Sequence, residues 1–292
     1  MEGLLVRGAI KAAVVIDPTF GDDVLTMRGL PLQILIDGTE PQSGAFAIDH
    51  IWGRAEVFVV EMLDEQIRSI GAGASLASLQ PIDLRVRTLY NPGLKSRNDL
   101  IPGLISMVLG FPALSVALTL AHEREHGTLE QMMTTPVKRL ELLLDKMIPY
   151  VVVGLFNVIA IPILSMIAFR VPFNGSFPLF FFLSAIFLFA MLGMGMVIGV
   201  FIRTQPAALA LSFLLIFFPG SFLTGIFFPL ASMPDEMQME AMLLPGTHYA
   251  KITRGVFLPG VGLDVLWPSG AALLALGLVF MTIGAVFFKK KL

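Results

Sequence analysis

The 292-residue chain is strongly apolar: 55% of its residues are hydrophobic, only 14% are charged, and its mean hydropathy is +0.80. This composition excludes a water-soluble globular protein and indicates an integral membrane protein. A net charge of −2 and an isoelectric point near 6.1 do not indicate a nucleic-acid partner, and the absence of cysteine excludes disulfides and thiolate metal sites.

Residues 1–100 differ in character from the rest of the chain. More than half of the 22 acidic residues lie there, and the apolar runs are too short to cross a bilayer. The runs at 11–16, 32–36 and 84–89 have the composition of strands, and apolar residues between 44 and 70 follow a helical spacing. We therefore predict a small α/β domain over residues 1–100.

Three residues of the predicted helix are candidate ligand contacts. His50, Trp52 and Arg54 carry polar or aromatic side chains that suit contact with a small molecule. Packing of the helix against the sheet explains the same residues, so both interpretations stay open.

Residues 101–292 contain stretches long enough to cross a membrane, since about 20 apolar residues at roughly 1.5 Å rise cover the hydrocarbon core. Five spans are predicted, at 102–121, 147–169, 178–202, 206–229 and 265–288. A further stretch, 231–262, contains three prolines and five charged residues and is interpreted as an interfacial or re-entrant hairpin. The expected fold is an α-helical integral membrane protein with about five transmembrane helices.

The polar segment 121–146 lies between the first two spans and has the features of a folded element. Gly127 suits the end of a helix, where the chain often needs a positive φ. Thr128, with Gln131 three residues later, has the pattern of a capping box that begins a new helix. Pro136 ends that helix after about two turns, so we predict a short, rigid helix at the membrane surface.

Three segments carry motifs that occur together in one known family. They are YNPGLKSRNDLIPGLI at 90–105, EREHGTLE at 123–130 with Thr135-Pro136 after it, and FFPLASMP followed by LPGTHYAKITRG at 227–255. In this order they resemble type-2 ABC exporter permeases, whose cytoplasmic loop has the pattern E-(K/R)-E-x-G-T-(L/I)-E.

The resemblance implies the transmembrane subunit of an ATP-driven exporter, which is a transporter subunit and not an enzyme. In this family two permeases pair, and each rests a short cytoplasmic coupling helix in a groove of a separate ATPase subunit. The chain has no Walker A pattern, so ATP is expected on that partner and no cofactor is expected on this chain. The docking residues that the resemblance implies are Glu123, Arg124, Glu125, Gly127, Thr128, Leu129, Glu130 and Pro136.

Location and further partners also follow from the resemblance. The chain is expected to be a multi-pass protein of the bacterial inner membrane, in contact with membrane lipids and with a periplasmic adaptor protein. Drugs, lipids, glycans and peptides all stay open as substrates, and the permease pair is either a homodimer or a heterodimer.

Charge asymmetry predicts the orientation of the chain. If the 121–146 loop is cytoplasmic, the short cytoplasmic segments carry eight Lys and Arg residues, against three on the opposite side. An excess of positive charge favours the cytoplasmic side. Residues 1–100 then form an extracytoplasmic α/β domain, residues 101–292 form the permease domain, and the 231–262 hairpin lies on the outer side.

The N-terminal sequence bears on this orientation. MEGLLVRGAIK has neither the apolar region of a signal peptide nor a membrane span, whereas the family has a first transmembrane helix before its outer domain. We therefore expect the chain to lack that helix and the proximal half of the outer domain, through a truncated gene, a late start or a deliberate deletion. A transport-inactive truncated permease is consequently one alternative function.

A membrane zinc metalloprotease is the other alternative. The sequence HEREH at 122–126 satisfies the H-E-x-x-H pattern, in which two histidines bind zinc and the glutamate is the general base. Glu141 and Asp145 are the nearby candidates for a third ligand, but Gly127 and Pro136 interrupt the helix that would carry them. We therefore predict no metal at this motif.

Glycines in the third predicted span indicate close helix packing. Gly195 and Gly199 form a small-xxx-small pair, with Gly193 nearby. Such a pair packs either within the chain or at a dimer interface, and both interpretations stay open.

Overall fold

The computed structural model describes residues 10, 12–18, 20, 30–37, 39, 41–70, 82–91, 95–128 and 139–288. The chain divides into two compact units, Met1–Ser96 and Arg97–Leu292. The first is an α/β unit and the second is helical.

Among its described residues, the first unit contains a three-stranded sheet in the order β1-β2-β3. β1 (Ala12–Ile16) is antiparallel to β2 (Leu30–Asp37), which is parallel to β3 (Ile82–Leu89). A parallel pair needs a long crossover, and the helix α1 (Pro41–Ile70) lies within it. The predicted strands and helix are therefore present at close to their predicted positions.

The central strand β2 supplies the core of this unit. Ile34 and Ile36 are fully buried, whereas Val14 and Ile16 on the edge strand β1 are exposed. The side chains of β1 thus leave apolar surface beside α1.

The described part of the second unit is a helical assembly. Its helices are α2 (Ser96–Val108), α3 (Phe111–Glu125), α4 (Arg139–Phe169), α5 (Phe177–Phe201), α6 (Gln205–Ser212), α7 (Phe218–Phe222), α8 (Asp235–Met242), α9 (Pro245–Phe257) and α10 (Leu263–Phe287). Within the described residues, five helical segments are long and apolar enough to cross a membrane: Ser96–Glu125, Glu141–Phe169, Phe177–Phe201, Gln205–Phe222 and Leu263–Phe287. The predicted fold class is confirmed.

The first predicted span, 102–121, is not one continuous helix. It is made of α2 and α3, which are separated by a turn at Leu109 and Gly110. Pro112 stands in the first turn of α3, where its missing N–H is tolerated. The same residue would break a helix that continued from α2, so α2 ends before it. Gly110 suits the tight turn, since a Cβ there would lie 3.0 Å from the Met107 carbonyl oxygen.

The span predicted at 206–229 is shorter than expected. Its helical segment covers Gln205–Phe222 and includes a π-helical turn at Phe213–Phe217. The chain then continues as a loop in which Gly225 adopts a φ of 82°. Glycine tolerates this conformation, so the loop turns there instead of extending the helix.

The stretch 231–262, interpreted from the sequence as a hairpin, contains two short helices, α8 and α9. α8 is exposed over most of its length. α9 packs against α5 and α10 and buries Tyr249, Val256 and Phe257 completely. The second helix is therefore part of the core of the helical unit.

α5 is the central helix of this unit, because it packs against α3, α4, α9 and α10. Its glycines make the close approach possible. A Cβ on Gly195 would overlap the carbonyl of Ala113 in α3, and Gly199 faces the same helix. A Cβ on Gly193 would lie 3.1 Å from Cβ of Phe280 in α10. The three glycines thus lie in contacts within the chain.

Candidate functional site

The charged residues of the EREHGTLE motif lie at the C-terminal turn of α3. The helix ends at Glu125, and the N–H of His126 donates to the carbonyl of His122 at 3.1 Å. Gly127 follows with a φ of 71°, as the sequence predicts for a sharp helix end. Since consecutive helical residues are separated by roughly 100°, three adjacent charged side chains here point in three directions.

Glu123 faces the interior of the helical unit. Its Oε1 lies 2.6 Å from Nζ of Lys146 in α4, and both side chains are largely buried. An unpaired buried charge costs several kcal/mol, so this carboxylate needs such a partner. Its second oxygen, Oε2, is buried without a hydrogen-bond partner among the described residues. Glu123 therefore ties the end of α3 to α4, across the 121–146 loop.

Arg124 binds the end of a different helix. Its Nη1 donates to the carbonyl of Val200 in the last turn of α5. The last carbonyls of a helix have no intrahelical partners and carry partial negative charge, so a guanidinium is favourable there. Arg124 is itself in the last turn of α3, and one cation is thus placed at two helix C-termini.

Glu125 binds the beginning of a third helix. Its Oε2 accepts a hydrogen bond from the N–H of Gln205, the first residue of α6, at 2.9 Å. The first N–H groups of a helix lack intrahelical acceptors and carry partial positive charge, which suits a carboxylate. The Gln205 side chain also contacts Nδ1 of His122, so α3 and α6 meet in two polar contacts.

An apolar cluster of described residues joins α3, α4 and α5, three of the helices that these charges connect. It contains Val116, Leu120, Leu143, Met147, Leu192, Met196, Val200 and Phe288. Protein interiors are close-packed and transmit strain, so the helices that share this cluster are mechanically connected. The C-terminal parts of α3 and α5 and the N-terminal part of α4 therefore pack against one another at this cluster.

The remaining predicted docking residues lie beyond the end of α3. Gly127 has open space where a Cβ would stand, and Thr128 is exposed. The Thr128 hydroxyl donates to the Glu123 carbonyl at 3.2 Å. The predicted short helix lies outside the described residues, and so do three of the predicted docking residues: Leu129, Glu130 and Pro136.

The partners of the three charges were not identified from the sequence. Arg124 is 76 residues from Val200, and Glu125 is 80 residues from Gln205. One local signal was present, because Pro206 is typical of the first turn of a helix and marks Gln205 as a helix start. Nothing in the spacing indicates which carboxylate meets that helix start.

The HEREH pattern does not form a metal site within the described residues. The rings of His122 and His126 are close, with centroids 4.2 Å apart. Glu123, however, is directed to Lys146, and the described part of the chain contains no group of three side chains suited to hold a metal ion. The geometry therefore gives no support to the protease alternative.

A second polar centre involves the beginning of α2. Arg254 in α9 forms an ion pair with Asp99, and its Nη2 donates to the carbonyl of Gly225 at 2.9 Å. Both charged residues are buried. This pair was missed in the sequence, although its members lie in two segments that carry the family resemblance, 90–105 and 227–255.

In the first unit, an open cavity of about 590 Å³ lies between β1 and α1. His50 and Arg54, one helical turn apart, are part of its mainly apolar lining, together with Ile16 and Phe58. Trp52 is exposed and is not part of that lining. His50 and Arg54 thus face a cavity instead of a packed core.

These features define a class of protein. The described residues form five apolar segments of membrane-spanning length, and the helix ends that flank a polar loop are joined by charged side chains. This combination is that of a multi-pass membrane protein whose spanning helices are linked by charged side chains at their ends.

Comparison with known proteins identifies the family. The family model described as "ABC-2 family transporter protein" matches residues 1–286, and the chain belongs to this family. It is 28% identical over 281 residues to the probable multidrug ABC transporter permease YbhS of Escherichia coli, covering 94% of this chain and 72% of that protein. It is 29% identical over 299 residues to the inner membrane transport permease YhhJ of Escherichia coli, covering 99% and 76%. The ABC transporter G family member 20 of Dictyostelium discoideum is 26% identical over 220 residues, covering 73% and 30%.

Family membership confirms the function predicted from the sequence. The chain is the transmembrane subunit of an ABC exporter and a multi-pass protein of the bacterial inner membrane. Membership also implies an ABC ATPase partner and pairing with a second permease subunit.

Proposed function

We propose that the 121–146 loop is the element on which an ABC ATPase subunit docks to drive this permease. The observation that carries the proposal is the fastening of the end of α3 to α4, α5 and α6. A coupling element has to be stiff and joined at both ends to membrane helices. The loop meets the second demand because it follows α3 and leads into α4.

The docking contact is made by the distal part of this loop. Its residues are Gly127, Thr128, Leu129, Glu130 and Pro136. Gly127 turns the chain away from α3, and the exposed Thr128 begins the segment that meets the partner. Glu130 supplies a charge for electrostatic complementarity with the ATPase surface. ATP binds to that partner, and this chain uses no cofactor of its own.

The proposed cargo is a set of amphipathic, drug-like molecules. Support comes from the relatives YbhS and YbhR, which are both described as probable multidrug ABC transporter permeases. Membrane lipids surround the spans, and a periplasmic adaptor protein is a further proposed partner.

Charge reversal at Glu130 tests the docking proposal. With the ATPase co-expressed, Glu130→Arg is expected to reduce copurification of the ATPase with the tagged permease roughly tenfold, and efflux of a fluorescent amphipathic dye to a similar extent. The change places a like charge against the partner, and a loss of about 1.4 kcal/mol at such a contact is a tenfold effect. Glu236→Arg, on the exposed α8, makes the same charge change away from the loop and is the matched control. Copurification and efflux of Glu130→Arg at the level of this control would contradict the docking assignment.

A further inference from the structure

We propose that Glu123, Arg124 and Glu125 are positioning residues that fasten α3 to three other helices and do not themselves contact the ATPase. The inference rests on the proposed docking function and deepens it. It separates the loop into a tip that meets the partner and a joint, made by these three residues, that passes the movement to the spans.

The sign of each charge in the joint matches the group that it meets. The carboxylate of Glu123 meets the ammonium group of Lys146. The carboxylate of Glu125 meets the backbone N–H of Gln205 at the N-terminus of α6. The guanidinium of Arg124 meets a carbonyl at a helix C-terminus. Helix ends carry about half an elementary charge each, positive at the N-terminus and negative at the C-terminus, so reversal of any one sign is unfavourable. The order negative, positive, negative is thus required by the surroundings within the chain.

Burial distinguishes the joint from a docking surface. Glu123 has an exposed fraction of only 9%, and Arg124 is half-buried. Glu125 is exposed, but its Oε2 already accepts the hydrogen bond from α6. A partner that used the Glu123 carboxylate would have to break its contact with α4. Gly127, by contrast, has open space where a Cβ would stand, so the accessible part of the loop begins beyond the joint.

The contact of Glu125 with α6 is the one with the clearest mechanical consequence. The N-terminal turn of α6 is largely exposed, including Thr204, Pro206 and Ala207. The Gln205 N–H stands where a helix has no internal acceptor, so the carboxylate on α3 satisfies it and fixes this helix end. A displacement of α3 is therefore passed to the fourth spanning segment as well as to the second and third.

The first test examines the joint without the partner. In the purified full chain, Glu125→Ala removes the acceptor of the backbone N–H of Gln205. Hydrogen exchange at this backbone N–H is expected to accelerate roughly tenfold, as for the loss of a hydrogen bond to a charged group. Asp145→Ala, which removes an exposed carboxylate from α4, is the matched control and leaves the exchange unchanged. Exchange at Gln205 that is equal in both variants overturns the proposal.

The second test exchanges the charges of the Glu123–Lys146 pair with the ATPase co-expressed. Glu123→Lys and Lys146→Glu are each expected to reduce dye efflux roughly tenfold, because each leaves two like charges in a largely buried contact. Copurification of the ATPase stays at the unmutated level in both. The double variant restores the opposite charges and is expected to recover efflux, which a general folding defect would not do.

The two proposals fail in different ways. The proposal of the joint is overturned if the single variants keep unmutated efflux, or if the double variant shows no more efflux than the single variants. It is also overturned if the single variants lose copurification to the same extent as Glu130→Arg. If Glu130→Arg keeps both copurification and efflux while the charge exchange behaves as expected, the docking assignment of the tip is wrong and the joint stands.

Discussion

Arg254 and Asp99 form an ion pair inside the helical unit, between α9 and the first turn of α2. The same guanidinium donates to the carbonyl of Gly225, whose φ of 82° turns the loop that follows α7. One side chain thus joins three elements that lie far apart in the sequence. Both residues have an exposed fraction of 7%, so each charge depends on the other for its stabilisation.

Removal of one member of this pair is predicted to be worse than removal of both. Arg254→Met leaves Asp99 buried beside an apolar side chain, and the free energy of unfolding is expected to fall by about 3–5 kcal/mol. Asp99→Leu combined with Arg254→Met removes both charges and is expected to recover most of that loss. Thermal unfolding of the detergent-purified protein measures the difference.

Lys251→Met is the matched control for this prediction. Lys251 is an exposed cation on the same helix, one turn before Arg254, and its replacement is expected to change stability by no more than about 0.5 kcal/mol. A melting temperature of Arg254→Met equal to that of Lys251→Met would show that the buried pair contributes nothing to the fold.

Gly195→Ala is predicted to separate α3 from α5. The added Cβ would overlap the backbone carbonyl of Ala113, and backbone atoms have less freedom to move than a flexible side chain. Overpacking of this kind costs about 1–3 kcal/mol. Gly220→Ala is the control, because it adds the same methyl group where no atom beyond its chain neighbours and its own helix backbone lies within 4 Å. Equal melting temperatures of the two variants, measured by fluorescence-detected size-exclusion chromatography, would contradict the close approach.

Tyr249 is predicted to make the protein sensitive to alkaline pH. The residue is fully buried, stacks on Phe187 with ring centroids 4.0 Å apart, and its hydroxyl lies 2.7 Å from Oγ of Ser184. Ser184 donates to the Phe180 carbonyl, so the tyrosine donates to Ser184. Burial removes water from the hydroxyl and disfavours the charged phenolate, so it raises the pKa of Tyr249 above its ordinary value.

The sign of the pH effect follows from that shift. The folded state holds the proton more tightly, so this contribution to stability is fully present below the unfolded pKa of about 10 and is lost as the pH rises above it. Tyr249→Phe removes the titration, and its melting temperature is expected to fall less steeply between pH 9 and 11 than that of the unmutated protein. Ser184→Ala removes the same hydrogen bond but keeps the phenol, so it should retain the steep fall. Parallel curves for the two variants would contradict the prediction.

The orientation of the chain is predicted from its charges and is accessible to cysteine labelling. The sequence contains no cysteine, so a single introduced residue reports on one position. Glu236→Cys on α8 is expected to react with a membrane-impermeant maleimide in intact cells, whereas Glu130→Cys is expected to react only after permeabilisation, because an excess of Lys and Arg marks the cytoplasmic side. Labelling of position 130 from outside would reverse the assignment.

The sequence by itself determined the class of fold and the family. Apolar segments of spanning length are recognisable because their signal is local: each helix satisfies its own backbone and needs only enough apolar side chains to cover the bilayer core. The sharp end of α3 at Gly127 was predictable for the same reason, since the need for a positive φ depends on one residue. The family motifs are contiguous segments, so they too are visible without a structure.

The tertiary structure alone decided which groups these residues meet. Glu125 reaches Gln205 and Arg254 reaches Asp99 only because helices distant in the chain pack side by side, and a charge pattern at one position contains no information about the helix end that lies opposite. The break at Gly110 was hidden in the same way, because an apolar run has the same hydropathy whether it forms one helix or two. Local propensity and hydropathy set the elements, whereas the polar partners of buried charges are set by long-range packing.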